Sequence, residues 1–216
     1  KIAGYTSIYW IIGGSCTGKS TISQAIAESY HIPLYDMDAH IYDRYMDQYD
    51  IKRHPANKAW LSASNPLDWQ LSLSSEEFDA FNRAANAEYL DLFADDIQAN
   101  YPQQPILVDG GITHPSLLCQ VIPGKNIFCL DVDHAECVKI WETAEERAEM
   151  KQWIFSLSDS KAKWETFLQF NELISRTIVE ECHTHHIEIY RRDEHTSVDF
   201  LQQHVANYFN LADDNT

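Results

Sequence analysis

Basic residues are scarce in this chain. Sixteen Lys and Arg face 33 Asp and Glu over 216 residues, a formal net charge of −17. A surface of that sign repels polyanions, which argues against nucleic acid and anionic membranes as partners. A polyphosphate ligand would need a small local positive site. Only seven arginines could help to build one: Arg44, Arg53, Arg83, Arg147, Arg176, Arg191 and Arg192. No apolar run is long enough to span a bilayer. No charged, apolar, small-residue leader opens the chain, which starts at Lys1 rather than Met. Cysteines are few and odd in number: Cys16, Cys119, Cys129, Cys137 and Cys182, with no metal-finger spacing. That pattern suits a reducing, cytoplasmic setting better than a disulfide framework. Internal repeats and low-complexity tracts are absent, and the length fits a single domain over 1–216 with insertions.

What is present is a glycine-rich loop, Gly13-Gly14-Ser15-Cys16-Thr17-Gly18-Lys19-Ser20, matching G-x-x-x-x-G-K-[ST] at every required position. It follows the apolar run Ile8-Tyr9-Trp10-Ile11-Ile12 and precedes Thr21-Ile22-Ser23-Gln24-Ala25-Ile26-Ala27-Glu28, which reads as a helix start. Strand, loop and helix in that order turn a pattern match into a structural expectation. The glycines let several backbone N–H groups converge on one concavity, and the helix N-terminus adds partial positive charge. Lys19 can then reach β- and γ-phosphate oxygens, and the Ser20 hydroxyl can ligate Mg²⁺.

Five apolar or β-branched runs read as strands: Ser7–Gly13, Ile32–Tyr35, Pro105–Asp109, Asn126–Val132 and Ile187–Tyr190. Helical patterns lie between and after them, over Lys19–Tyr30, Ser75–Asn100, His134–Phe155, Ser160–His183 and Ser197–Leu211. The Ser74-Ser75-Glu76-Glu77 opening of the second helix supplies capping chemistry. Alternating strands and helices predict a parallel sheet covered on both faces. Ligands in such sheets sit beyond the carboxyl ends of the strands. Three of those ends carry chemistry: Asp36-Met37-Asp38, Asp109-Gly110-Gly111 and Arg191-Arg192. The segment Gln48–Leu73 is the least regular and reads as an insertion over the sheet ends.

Gly18-Lys19-Ser20-Thr21 through Leu34-Tyr35-Asp36-Met37-Asp38 resembles the N-terminal part of shikimate kinases, which carry a D-x-D pair at this distance from the loop lysine. Gluconate kinases and nucleoside-monophosphate kinases share the wider fold. The specific resemblance covers about the first forty residues and is architectural beyond. It implies a P-loop NTPase fold, three layers α/β/α around a five-stranded parallel sheet. It also implies ATP and Mg²⁺ as cofactor and metal, and a small-molecule acceptor. On this reading Gly13–Thr21 hold the nucleotide. Asp36 lies near the Mg²⁺ water shell with Ser20, and Asp38 binds the acceptor hydroxyl and takes its proton. Arg83 falls where the family uses an arginine for anionic acceptors. Arg147 falls in the expected lid, about 134–160, opposite an acceptor-side insertion of about 48–100. Arg192 borders the adenine and could stack on it.

The residues support parts of this independently. Two carboxylates beside a phosphate loop can divide Mg²⁺ and acceptor-hydroxyl duties, and Asp38, just before Ala39-His40-Ile41-Tyr42, could instead or also cap a helix. An apolar strand ending in Asp109 reads as a metal-side carboxylate, with Gly110 and Gly111 exposing backbone to an acceptor; the shikimate kinases lack this Asp. Arg147 in Glu145-Glu146-Arg147 could equally be a solvated helix residue. The run Cys182-His183-Thr184-His185-His186 has poor geometry for a closed tetrahedral metal site. A GTP switch would need N-K-x-D, and the only Asn-Lys pair, Asn57-Lys58, continues Ala59-Trp60. The expectation is an ATP-dependent kinase, monomeric or homodimeric. A nucleotide-binding sensor without turnover is the alternative.

Overall fold

A computed structural model describes residues 7–101 and 104–211. The chain's first residues, on which any leader would fall, lie outside the described residues. The five apolar runs form strands β1 (Ile8–Ile12), β2 (Leu34–Asp36), β3 (Ile106–Asp109), β4 (Ile127–Val132) and β5 (Glu188–Arg192). They pair in the order β2-β3-β1-β4-β5, all parallel. β1 is central, so the loop that leaves it emerges in the middle of the sheet's carboxyl edge. Register sets Asp36 of β2 beside Asp109 of β3, and Asp109 beside Ile11 of β1.

Both sheet faces are buried, as continuous apolar strands require. On one face Trp10, Ile12, Val108 and Cys129 meet Phe93, Ile97 and Ile178. On the other, Ile11, Leu107, Phe128 and Leu130 meet Ile22, Ile26, Leu201 and Val205. Phe93 is fully buried against the rings of Trp10 and Tyr35, at 4.9 and 5.1 Å. Truncating such a side chain to Ala costs about 3–5 kcal/mol.

Helix α1 (Lys19–Tyr30) follows the phosphate loop directly. After β2 come one helical turn, α2 (Met37–Ala39), and a π-helical turn, His40–Arg44. The irregular segment holds two short helices, α3 (Pro55–Leu61) and α4 (Pro66–Gln70). Each starts on a proline, whose fixed φ and missing N–H suit a first helical turn. Helix α5 (Ser75–Asn100) opens on a full capping box between Ser74 and Glu77. A short helix, α6 (Pro115–Leu118), follows β3.

The expected single helix His134–Phe155 is instead two, α7 (His134–Thr143) and α8 (Ala148–Phe155). Extended Ala144 (φ −76°, ψ 130°) and a 3₁₀ turn, Glu145–Arg147, separate them. A continuous helix would stack Glu142, Glu145, Glu146 and Glu149 at repelling i,i+3 and i,i+4 spacings. The break also brings Ile154 into one cluster with Trp141 and Trp164. Helices α9 (Ser160–Thr184) and α10 (Val198–Phe209) complete the described chain. No described helix is long and apolar enough to cross a membrane.

Candidate functional site

The loop Gly13–Ser20 joins β1 to α1 without a capping side chain or an acidic residue in the first helical turn. Helices α5, α7 and α10, by contrast, are capped by Ser74, Asp133 and Ser197. The N–H groups of Lys19, Ser20 and Thr21 at the α1 terminus are therefore left for an anion, with the helix dipole behind them. Thr17 braces the loop from inside, its hydroxyl donating to Gly14 O at 3.0 Å. The Lys19 ammonium folds back to donate to the same carbonyl at 2.9 Å, which holds it over the loop. Arg192, from the end of β5, clasps the loop from the other side. Its Nε donates to Thr17 O at 3.0 Å and its Nη2 donates to Cys16 O.

The acidic residues at the neighbouring strand ends converge on Lys19. Gly110 sits at φ +69°, a left-handed conformation that glycine adopts without penalty. A Cβ there would lie 2.8 Å from Asp38 Oδ2 and 3.6 Å from Lys19 Cε. Asp38, Lys19 and the Gly110 backbone therefore share one small space. The Gly111 backbone N–H beside it favours the ionised form of Asp38. Trp10 fixes this turn from below, its indole N–H donating to Gly110 O at 2.9 Å.

Protein packed around Asp38 raises its pKa above the ordinary carboxylate value. The Asp109 and Asp36 charges add to the rise, while Lys19 and the Gly111 N–H oppose it. Water still reaches one side of Asp38, so its proton can exchange. Asp109 is only 4% exposed and is also raised, by burial first. Ser20 and Ser23 favour its ionised form, and the Ser23 hydroxyl donates to its Oδ1 at 3.2 Å. Asp36 caps α2, its Oδ1 accepting from Ala39 N–H at 2.9 Å. The cap expected at Asp38 is instead Asp36, because the helix already starts at Met37, and this leaves Asp38 facing the loop.

The two remaining arginines lie apart from this centre. Arg147 rests 4.8 Å over the Trp141 ring, and its buried Nε has no hydrogen-bond partner among the described residues. It is close enough to the loop to act on the Cys16 thiol. Arg83 is bound elsewhere, to Glu181 at 3.1 Å and Ser116 at 3.4 Å. Sequence reasoning did not single out Trp10, Ser23 or Ser175. Ser23 is one helical turn beyond Ser20, a spacing that could have flagged it. Trp10 and Ser175 reach the site only through tertiary packing.

A five-stranded parallel sheet ordered 2-3-1-4-5 with a phosphate-type loop after its central strand defines the class: a P-loop α/β fold. TT1252 from Thermus thermophilus is similar in structure, with TM-score 0.55 and 15% identity over 96% of this chain and 99% of that one. Weaker likenesses include shikimate kinase from Acinetobacter baumannii (TM-score 0.47, 13% identity, 95% and 93% covered). A putative kinase from Chloroflexus aurantiacus stands at TM-score 0.47 and 15% identity, with 96% and 98% covered. No sequence-family description and no curated protein matches the chain.

Proposed function

We propose that this protein is an ATP-dependent kinase that phosphorylates a hydroxyl group of a small molecule. The observation that carries the reading is the meeting of Lys19, Asp38 and the Gly110-Gly111 backbone beside a phosphate-type loop. A nucleotide-binding sensor would need the loop but not a carboxylate aimed at it. Gly13, Gly14, Ser15, Cys16, Thr17, Gly18, Lys19, Ser20 and Thr21 cradle the nucleotide phosphates, with Arg192 bracing the loop beside the base. The Ser20 hydroxyl and, through water, Asp36 and Asp109 suit Mg²⁺, which favours oxygen ligands and keeps several waters. When bound, it neutralises charge on the phosphoryl oxygens.

Asp38 orients the acceptor hydroxyl and takes its proton as the bond to phosphorus forms. Its raised pKa improves it as a base, provided it is ionised at the working pH. The Gly110 and Gly111 backbone lets the acceptor approach closely. Lys19 and, from the lid, Arg147 stabilise charge on the transferring group. The unpartnered Nε of Arg147 fits a group that waits for an anion.

The acceptor in this reading is neutral or cationic. Between Asp36 and Asn100 the chain carries thirteen Asp and Glu against five Lys and Arg. Arg44, Arg53 and Arg83 in that span are each tied to carboxylates, at 2.8 Å to Asp96, 2.7 Å to Asp95 and 3.1 Å to Glu181. Arg83 could serve an acceptor only by leaving Glu181. Tyr42, four residues beyond Asp38, is 63% exposed and edge-on to Trp60, and offers a flat face instead.

The test is γ-labelled ATP with Mg²⁺ and a metabolite extract fractionated by charge. Label in a phosphate monoester from the neutral or cationic fraction is expected. Label only in products of anionic alcohols would overturn the acceptor class and leave the kinase reading standing. Bound ATP with no transfer to any fraction would favour the sensor.

A further inference from the structure

Two cysteines meet where the phosphate loop touches helix α7, and nothing in the proposed phosphoryl transfer uses their sulfurs. Cys16 lies in the loop at φ +65°, a left-handed conformation that costs an L-residue about 1–2 kcal/mol. In that conformation its side chain meets α7, where Cys16 Sγ lies 3.8 Å from Cys137 O. The contact is reciprocal, because Cys137 Sγ lies 3.5 Å from Ser15 O. Each sulfur thus packs on the backbone of the other's segment. Both residues are largely buried, at 8% and 7% exposure. Cys137 nevertheless lines a cavity of about 340 Å³ between α7 and α9, also bordered by His134, Asn171 and Ser175. A small oxidant therefore has a route as far as Cys137, on the loop side of which Cys16 packs.

We propose that Cys16 and Cys137 form a reversible intramolecular disulfide under hydroperoxide, and that the bond disables the phosphate loop. The environment divides the two roles. The neighbouring Cys137 thiol, with the Arg147, Lys19 and Arg192 charges, holds the Cys16 pKa below that of an ordinary thiol despite burial. The Cys16 sulfur beside it and burial raise the Cys137 pKa, so Cys137 stays protonated. A thiolate beside a protonated partner is the arrangement that oxidises and then resolves. The Cys16 thiolate attacks a peroxide oxygen, the O–O bond breaks, and the leaving oxygen departs protonated as water or alcohol. The resulting sulfenic acid is attacked by Cys137 sulfur. The S–S bond forms, and the hydroxyl leaves as water with the Cys137 proton. Two thiols lose two electrons and two protons, and the peroxide takes them.

The effect on the loop follows from bond length. A disulfide draws two sulfurs from non-bonded contact to about 2.05 Å. The loop is clasped on its other side by Arg192 at the carbonyls of Cys16 and Thr17. Pulling residue 16 toward α7 distorts a loop whose N–H groups must converge. The cations that favour the Cys16 thiolate include Lys19 and Arg147, so a polyphosphate bound to them competes for the same charge.

The experiment treats the reduced full chain with hydrogen peroxide, with and without Mg·ATP. It follows intact mass, non-reducing peptide maps and the melting shift on Mg·ATP. Expected are loss of two hydrogens, a Cys16–Cys137 cross-linked peptide, and a nucleotide-induced melting shift that disappears and returns with dithiothreitol. Mg·ATP should slow the oxidation. In Cys137→Ser the shift should survive brief peroxide. Should that variant fail to fold, the wild-type peptide map decides alone. Cross-linking confined to other cysteines, oxygen addition at Cys16 without cross-linking, or a cross-linked protein that keeps its full melting shift would each overturn the proposal.

Discussion

Gly14 is the point at which the phosphate loop rests on helix α9, and replacing it by alanine tests that contact in isolation. Gly14 is not among the residues with positive φ, so alanine meets no intrinsic backbone penalty there. The obstacle is steric. An added Cβ would lie 2.1 Å from Ser175 Oγ and 3.1 Å from Ser175 Cβ. The first distance is impossible without movement, and the second is only tight. Overpacking of this kind costs about 1–3 kcal/mol. Alanine returns about 0.4–1 kcal/mol by restricting the unfolded chain. The net loss for Gly14→Ala is thus between about 0 and 2.6 kcal/mol, centred at about 1.3, which at the centre is a fall in Tm of about 3–5 °C for a chain of this size. Ser175→Ala removes the clashing oxygen and only a local bond to Asn171 O, at 3.0 Å. The double variant should recover most of the loss, with a coupling of about 1 kcal/mol in a double-mutant cycle. Urea unfolding of the four proteins measures it. Additive effects of the two substitutions would refute the placement of the loop against α9.

Asp38→Asn should raise Tm at neutral pH. The folded pKa of Asp38 lies above the unfolded value near 3.8, so its ionised form disfavours the fold. That penalty develops as pH rises from the unfolded pKa through the folded one, and vanishes below both. The Tm gap between variant and wild type should therefore close in acid, and a gap independent of pH would contradict the assignment. Arg147→Ala should lower kcat on the order of 10³-fold with ATP affinity little changed, as for other arginines acting in the transition state. An unchanged kcat would remove it from the lid role. Ser74→Ala breaks the α5 capping box and should cost about 1 kcal/mol, seen by calorimetry as a Tm lowered by about 2–4 °C.

The strands and long helices were legible because apolar periodicity and caps speak locally. Lys19–Tyr30 and Ser75–Asn100 stand where their patterns place them. β5 runs on to Arg192 although the apolar run stops at Tyr190, because Arg191 finds Asp131 at 2.6 Å and Arg192 finds the loop carbonyls. No local pattern announces such partners. The α7–α8 break was hidden because apolar spacing continues across Ala144; the glutamate run hints at it, but the folded-back contact of Ile154 with Trp141 and Trp164 appears only in the fold. Helices α3 and α4, of seven and five residues, are too short for periodicity to declare, although Pro55 and Pro66 mark their starts. At the site, loop spacing and strand-end position pointed to Lys19, Asp38 and Gly110-Gly111 as candidates. Cys137 and Ser175 come from distant segments and become neighbours of the loop only in the fold.

The most direct measurement of the central claim compares wild type with Asp38→Asn, using γ-labelled ATP, Mg²⁺ and the fractionated extract. Each protein is also melted with and without Mg·ATP. At about one hundred times its Kd, the nucleotide should stabilise both by about 2.7 kcal/mol. Wild type should move the label into an alcohol phosphate, and Asp38→Asn should bind ATP yet transfer almost none. Equal transfer by the two proteins, or no transfer by wild type despite ATP binding, would contradict the account.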